Sequence, residues 1–152
     1  MTTRATQQLE TADEAVRQAN AEFYGAFAAL DLGRMDAVWL HEDWVECVHT
    51  GWDVLLGWED VRASWAQMFA STERVRIEVS SVLVRIEGDV AWVSCREHVM
   101  TTFAKDFTQA HLQATNIFVR RELPAEAGGG ARWFLVTHHA SPLPPGRPAS
   151  LQ

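Results

Sequence analysis

Apolar residues recur at helical spacing through the first part of the chain. Val16, Ala19, Phe23, Ala26, Phe27 and Leu30 fall on one face. Thr11-Ala12-Asp13-Glu14 reads as a capping box ahead of them, and Gly33 as the left-handed stop behind them. Arg34–Leu40 predicts a short second helix, and Trp44–His49 a short strand with Val54-Leu55-Leu56 as its returning partner. Gly57 precedes a third helix with Glu59-Asp60 in its first turn and a stripe of Trp58, Val61, Trp65, Met68 and Phe69. After Ser71-Thr72 the period becomes two. Val75, Ile77 and Val79 alternate with charged residues, then Val82, Val84 and Ile86 carry the pattern in the opposite phase. Such a flip predicts a bulge near Ser80-Ser81. Gly88-Asp89 is a hairpin turn, and strands follow over 90–102, 107–121 and 133–142. Helices grouped ahead of a meander define an α+β fold.

The 152 residues suffice for one domain with its own core. Residues 11–142 are expected to form it, with 1–10 and the proline-rich 143–152 as flexible tails. The net charge of −7, with no arginine cluster, argues against nucleic acid or an acidic membrane as partner. No apolar run reaches a membrane-spanning length, and residues 1–9 lack the apolar core of a secretory signal. Two cysteines, Cys47 and Cys95, make no disulfide framework. A cytoplasmic location is the resulting expectation. His138 and His139 point to opposite faces of one strand, and no helical His pair or CxxC is present, so no metal is expected. No glycine-rich phosphate loop or other cofactor motif stands out either.

The element order, together with Trp44 through Trp52, Gly57-Trp58-Glu59-Asp60-Val61, Ala114-Thr115-Asn116-Ile117-Phe118 and Trp133 through Ser141, resembles the nuclear-transport-factor-two-like superfamily and its SnoaL-like group. The resemblance covers about residues 13–142. It implies a cone: a bent antiparallel sheet wrapped round the N-terminal helices, with a pocket at the open end and a homodimer through the outer sheet face. It does not imply one activity, because the superfamily holds isomerases, cyclases, dehydratases, ligand binders and assembly modules.

Side-chain alternation then sorts the polar residues. Pairing Phe103 with Phe107 places Trp92, Ser94, Arg96 and His98 on the face of Leu112, Ala114, Asn116 and Phe118. Val93, Cys95 and Glu97 fall on the other. The last hairpin places Val136 beside Phe118, His138 beside Asn116, and His139 with Thr115 on the outer face. Similarity to ketosteroid isomerase implies a hydrogen-bond donor to the substrate oxygen at Asn116, a second donor at Tyr24, and a base near Cys47 and His49. Asn116 stands where that enzyme has an acid, and no carboxylate stands at the base position, so isomerisation by that route is not supported.

These residues define a candidate site. Asn116 and Tyr24 are donors to a developing oxyanion, and His138 or His49 shuttles the proton. Trp52, Trp92, Phe118 and Val136 are apolar ligand contacts. Glu97 and His139 are assigned to a subunit interface, and Cys47 is a buried thiol that shares a strand face with His49. Three functions remain open: an isomerase, cyclase or dehydratase of an apolar carbonyl compound, a non-catalytic binder of a small apolar molecule, and an oligomerisation module.

Overall fold

The computed structural model describes residues 2–144. Its elements are α1 (Thr2–Ala28), α2 (Leu32–Val38), β1 (Glu46–Val48), β2 (Leu55–Leu56), α3 (Trp58–Ser71), β3 (Arg74–Glu87), β4 (Val90–Phe103), β5 (Asp106–Glu122), a short helical turn at Ala125–Ala127, and β6 (Ala131–Pro142). One sheet has the order β2-β1-β6-β5-β4-β3. Every neighbouring pair is antiparallel except β1 with β6, which run parallel.

The long strands curl, and the apolar face of α1 fills the concave side. Val16, Phe23 and Ala26 are fully buried there, and α1 packs on β3, β6 and α2. The bend in β3 falls where the phase flip placed it: the ladder shifts between Ser80 and Leu83, with Ser81 at φ 52°. An extra residue at that point twists the strand and starts the curl. The architecture is therefore the open α+β cone.

Two helix boundaries differ from the sequence reading. The first helix begins at Thr2 and takes in the predicted tail; Thr11 lies inside it, its hydroxyl donating to the Gln7 carbonyl at 2.8 Å. The helix ends at Ala28, and Leu30, not Gly33, makes the left-handed stop. Leu30 takes the left-handed conformation at φ 52°, and Asp31 N–H reaches back to Ala26 O at 3.1 Å while Leu30 N–H bonds Phe27 O. That bond pair is the Schellman closure, which here uses a leucine where glycine is usual. Asp31 then caps α2, accepting from Arg34 N–H at 3.0 Å. Of the C-terminal tail, the segment from Pro145 onward lies outside the described residues.

The strand register differs in one hairpin and agrees in the other. Phe103 pairs with Asp106 across a two-residue turn, so Glu97 lies opposite Leu112 and His98 opposite His111. The β4 faces are exchanged relative to the prediction. Val93, Cys95 and Glu97 point into the cone, while Trp92 and His98 lie on the outer side, where His98 stacks on His111 at 4.2 Å. The last hairpin keeps its register at the decisive positions: Asn116 pairs with His138 and Thr115 with His139. Beyond them a bulge intervenes, so Phe118 faces Leu135 and Val136 is the extra residue.

Candidate functional site

The open end of the cone holds a cavity of about 260 Å³. Phe27 of α1, Met68 of α3, Val99 of β4 and Leu112 of β5 give it an apolar wall. Three titratable side chains interrupt that wall: His49 at the exit of β1, Glu97 of β4 and His138 of β6. Trp52 also lines it, with its ring edge-on to His49 at 5.0 Å.

Behind the wall lies a buried polar network. His138 Nδ1 meets Asn116 Oδ1 at 2.6 Å. Asn116 Nδ2 donates to Asn20 Oδ1 at 2.9 Å and to the Tyr24 hydroxyl at 3.1 Å. The Tyr24 hydroxyl donates in turn to Glu97 Oε2 at 2.5 Å, with the Cys95 sulfur 3.3 Å away. One phenol has one proton and two lone pairs. With its proton directed at Glu97, Tyr24 accepts from Asn116 and from the Cys95 thiol, and its valence is used up. The network thus ties both ends, His138 and Glu97, to one buried asparagine and one buried tyrosine.

These bonds fix the tautomers of both histidines. Asn116 uses its amide protons on Asn20 and Tyr24, so its oxygen takes the proton of His138 Nδ1. His49 Nε2 lies 2.8 Å from Ser64 Oγ, and Ser64 gives its own proton to the Val61 carbonyl at 2.6 Å. His49 Nε2 is therefore the protonated nitrogen. Aromatic packing holds both rings: Trp65 lies 4.7 Å from His49 and 6.1 Å from His138, and Phe23 lies 4.9 Å from His138.

Burial sets the protonation states. It lowers His49 to about 4. Burial, then the proximity of His49 and His139, lowers His138 to about 3. Both imidazoles are neutral at pH 7. Glu97 is displaced the other way: burial raises its carboxyl to about 7, against the opposing pull of the Tyr24 hydrogen bond. Burial, then the charge of Glu97, pushes the Tyr24 phenol far above its ordinary range. The Cys47 thiol is also pushed up, by burial and then Glu97, so it stays a thiol at neutral pH and is a poor nucleophile.

Six sequence assignments are corrected by this geometry. Asn116 and Tyr24 do not line the cavity, and their protons are committed to protein partners, so they position His138 and Glu97 and present no donor to a ligand. Trp92 lies on the outer face, 39% exposed, because the β4 register is one residue off. Phe118 is fully buried below the cavity, and Val136 sits in the bulge; neither lines it. Glu97, assigned to an interface, is only 3% exposed and belongs to the cavity. His49, His138 and Trp52 stand where the sequence reading places them, and His139 is exposed on the outer face.

Glu97 and Asn20 were missed, although each leaves a trace. Ala91, Val93, Cys95, Glu97 and Val99 form one period-two series with a single carboxylate in it. Asn20 sits midway between Val16 and Tyr24 on the α1 stripe. A polar residue inside an apolar period is the signal in both cases. Among the described residues, no group of three His, Cys, Asp or Glu side chains is placed to hold a metal, and no helix is long and apolar enough to cross a membrane.

A curved sheet wrapped round N-terminal helices is the architecture of the NTF2-like proteins with a cystatin-like fold. The SnoaL-like domain family matches residues 16–145, and the chain belongs to it. A candidate dehydratase of the NTF2-like family from Streptomyces avermitilis is 31% identical, with a TM-score of 0.78 over 89% of this chain and 99% of that one. A candidate calcium/calmodulin-dependent protein kinase type II association domain from Thiobacillus denitrificans is 32% identical, with a TM-score of 0.69 over 83% of this chain and 93% of that one. The F-box protein SKIP8 of Arabidopsis thaliana is 28% identical over 127 residues, which are 84% of this chain and 49% of that protein. The chain thus spans about half the length of that relative.

Proposed function

We propose that the chain is a small acid–base enzyme of the isomerase, cyclase or dehydratase kind, acting on an apolar carbonyl compound held in the cavity. Glu97 carries the proton. One observation supports this above the others: a buried carboxyl that changes charge near pH 7, held at one oxygen by Tyr24, in the wall of an apolar cavity. A group with that poise accepts a proton from carbon and returns it elsewhere without a large mismatch in either direction. The histidines, neutral at this pH, orient the substrate and do not serve as the acid. The similarity to a candidate dehydratase points the same way.

Proton exchange at carbon is the test, since it needs no knowledge of the natural product. Cyclic enones and β-hydroxy ketones are incubated with the protein in D2O and followed by NMR. Protein-dependent deuterium incorporation beside the carbonyl is expected. Ligands that bind and raise the melting temperature without exchange would favour the non-catalytic binder instead.

The outer sheet face fits a second copy of the chain. Leu83 is 67% exposed there and Trp92 39%, on neighbouring strands whose partners Ser94 and Arg85 share the face. Sedimentation velocity is expected to give twice the 17.1 kDa chain mass, with Leu83→Asp shifting it toward one. A wild-type monomer at tens of micromolar would remove both the dimer and the assembly-module reading.

A further inference from the structure

The hydrogen-bond directions around the cavity carry information that its shape does not. His49 gives its proton to Ser64, which leaves the lone pair of Nδ1; the Cys47 sulfur, at 3.9 Å, is its nearest bonding partner. His138 gives its proton to Asn116, which leaves the lone pair of Nε2. Glu97 engages Tyr24 through Oε2, which leaves Oε1. Ser71 and Thr72 also line the cavity, and both donate to the Met68 carbonyl at 3.2 and 2.6 Å, so they too present lone pairs. Donors are scarce in comparison. The wall has no Lys, Arg, Asn or Gln. It offers only the rotatable hydroxyls of Thr50 and Thr101 and the indole of Trp52, a residue 41% exposed.

A buried acceptor left without a donor weakens binding by the full desolvation of that group. We infer that the ligand of this cavity is an uncharged apolar compound carrying at least one hydroxyl, which donates to the lone pairs of His49, His138 and Glu97. An acceptor-only ligand leaves these groups unpaired. A carboxylate or phosphate brings negative charge against Glu97 with no cation on the wall to receive it. An ammonium satisfies the acceptors but must be desolvated beside neutral imidazoles and a carboxyl whose own charge burial opposes. The neutral hydroxyl is the group that meets all three conditions.

The inference uses the same cavity as the proposed activity but does not depend on turnover. Within that activity it narrows the substrate to a β-hydroxy carbonyl compound, in which removing the proton from the carbon beside the carbonyl forms a C=C bond as the β C–O bond breaks. Hydroxide then leaves with the proton that Glu97 holds, so atoms and charge balance without a further reactant.

Binding alone tests it. Beta-naphthol, its methyl ether, the corresponding naphthoate and the corresponding naphthylmethylamine share one ring system and differ in donor and charge. Calorimetric titration at pH 8, where Glu97 is ionised, is expected to show beta-naphthol binding roughly tenfold or more tighter than the ether, with the naphthoate weaker still and the amine not ahead of the naphthol. In Glu97→Gln the amide oxygen takes the Tyr24 proton and the amide nitrogen replaces Oε1. The naphthol-to-ether ratio should fall at least several-fold while the fold is retained by circular dichroism. Equal affinity for naphthol and ether, tightest binding of the naphthoate or the amine, or an unchanged ratio in the variant overturns the inference. Naphthol preference without any proton exchange at carbon leaves it standing and removes only the enzymatic reading.

Discussion

Glu97→Gln is expected to abolish proton exchange and to stabilise the protein above neutral pH. The first effect follows from the role: general acid–base groups contribute about 10²–10⁴ in rate, and an amide cannot carry the proton. Exchange rates in D2O, measured at saturating ligand so that any loss of affinity does not enter, should drop by that order. The second effect follows from linkage. The folded-state carboxyl titrates at about 7 against an ordinary value of 4.5, so the folded state holds the proton more tightly than the unfolded chain. Stability from this group is fully present below pH 4.5 and is lost as pH rises through 7. The loss amounts to about 3 kcal/mol. Glutamine has no charge to bury and keeps an oxygen for Tyr24. Urea unfolding at pH 8 should therefore find the variant more stable by about that amount, and at pH 5 nearly equal to wild type. A variant less stable than wild type at pH 8 would falsify the burial argument for Glu97.

The histidines bend the pH profile the other way. Their folded values, about 4 and about 3, lie below the ordinary 6.5. The unfolded chain therefore takes up protons that the folded chain refuses as pH falls below 6.5, and stability falls with it. Between pH 4.5 and 6.5 two histidines outweigh one carboxyl, so stability still rises with pH. Above 6.5 the histidine contribution fades over the same range in which Glu97 loses its proton, so the profile levels off near pH ~7. Glu97→Gln removes the opposing carboxyl contribution between pH 4.5 and 7, so the variant's stability should rise more steeply across that window than the wild type's. Glu97 itself gives up about 3 kcal/mol of stability when charged, in exchange for a poised proton.

What the sequence discloses about this site depends on where a register is pinned. The phase flip at Ser80-Ser81 is visible because the apolar alternation changes parity there, and the same alternation sets Asn116 opposite His138. The β4–β5 turn has no such marker. Ala104, at φ 49°, stands where a glycine or asparagine would have announced a two-residue turn. Reading one residue more into that turn exchanges both faces of β4, which sent Glu97 outward and Trp92 inward. The hydrogen-bond directions were not legible at all. They arise from contacts such as Asn116 with Asn20, residues 96 apart in sequence, that only the closed cone brings together.

Asn116→Leu is expected to cost about 3–5 kcal/mol, well beyond what a change of side-chain shape explains. Asn116 is completely buried and satisfies three partners at once: Asn20 Oδ1, the Tyr24 hydroxyl and His138 Nδ1. Leucine fills similar space but leaves the Asn20 oxygen and the His138 N–H without partners among buried atoms. Each orphan costs about 1–3 kcal/mol, and a domain of this size has only about 5–15 in total. Chemical denaturation should show a lower midpoint with an unchanged slope. The origin of the loss is separable from packing by adding Asn20→Leu. If orphaned polar groups dominate, removing the second partner relieves one of them, and the double variant loses at least about 1 kcal/mol less than the two single losses added together. Strict additivity would mean that the two asparagines are held by their surroundings and not by each other. His138 supplies an independent reading. Freed from Asn116, its ring is no longer held to the Nδ1–H tautomer, and the imidazole nitrogen chemical shifts should report both tautomers where wild type shows one.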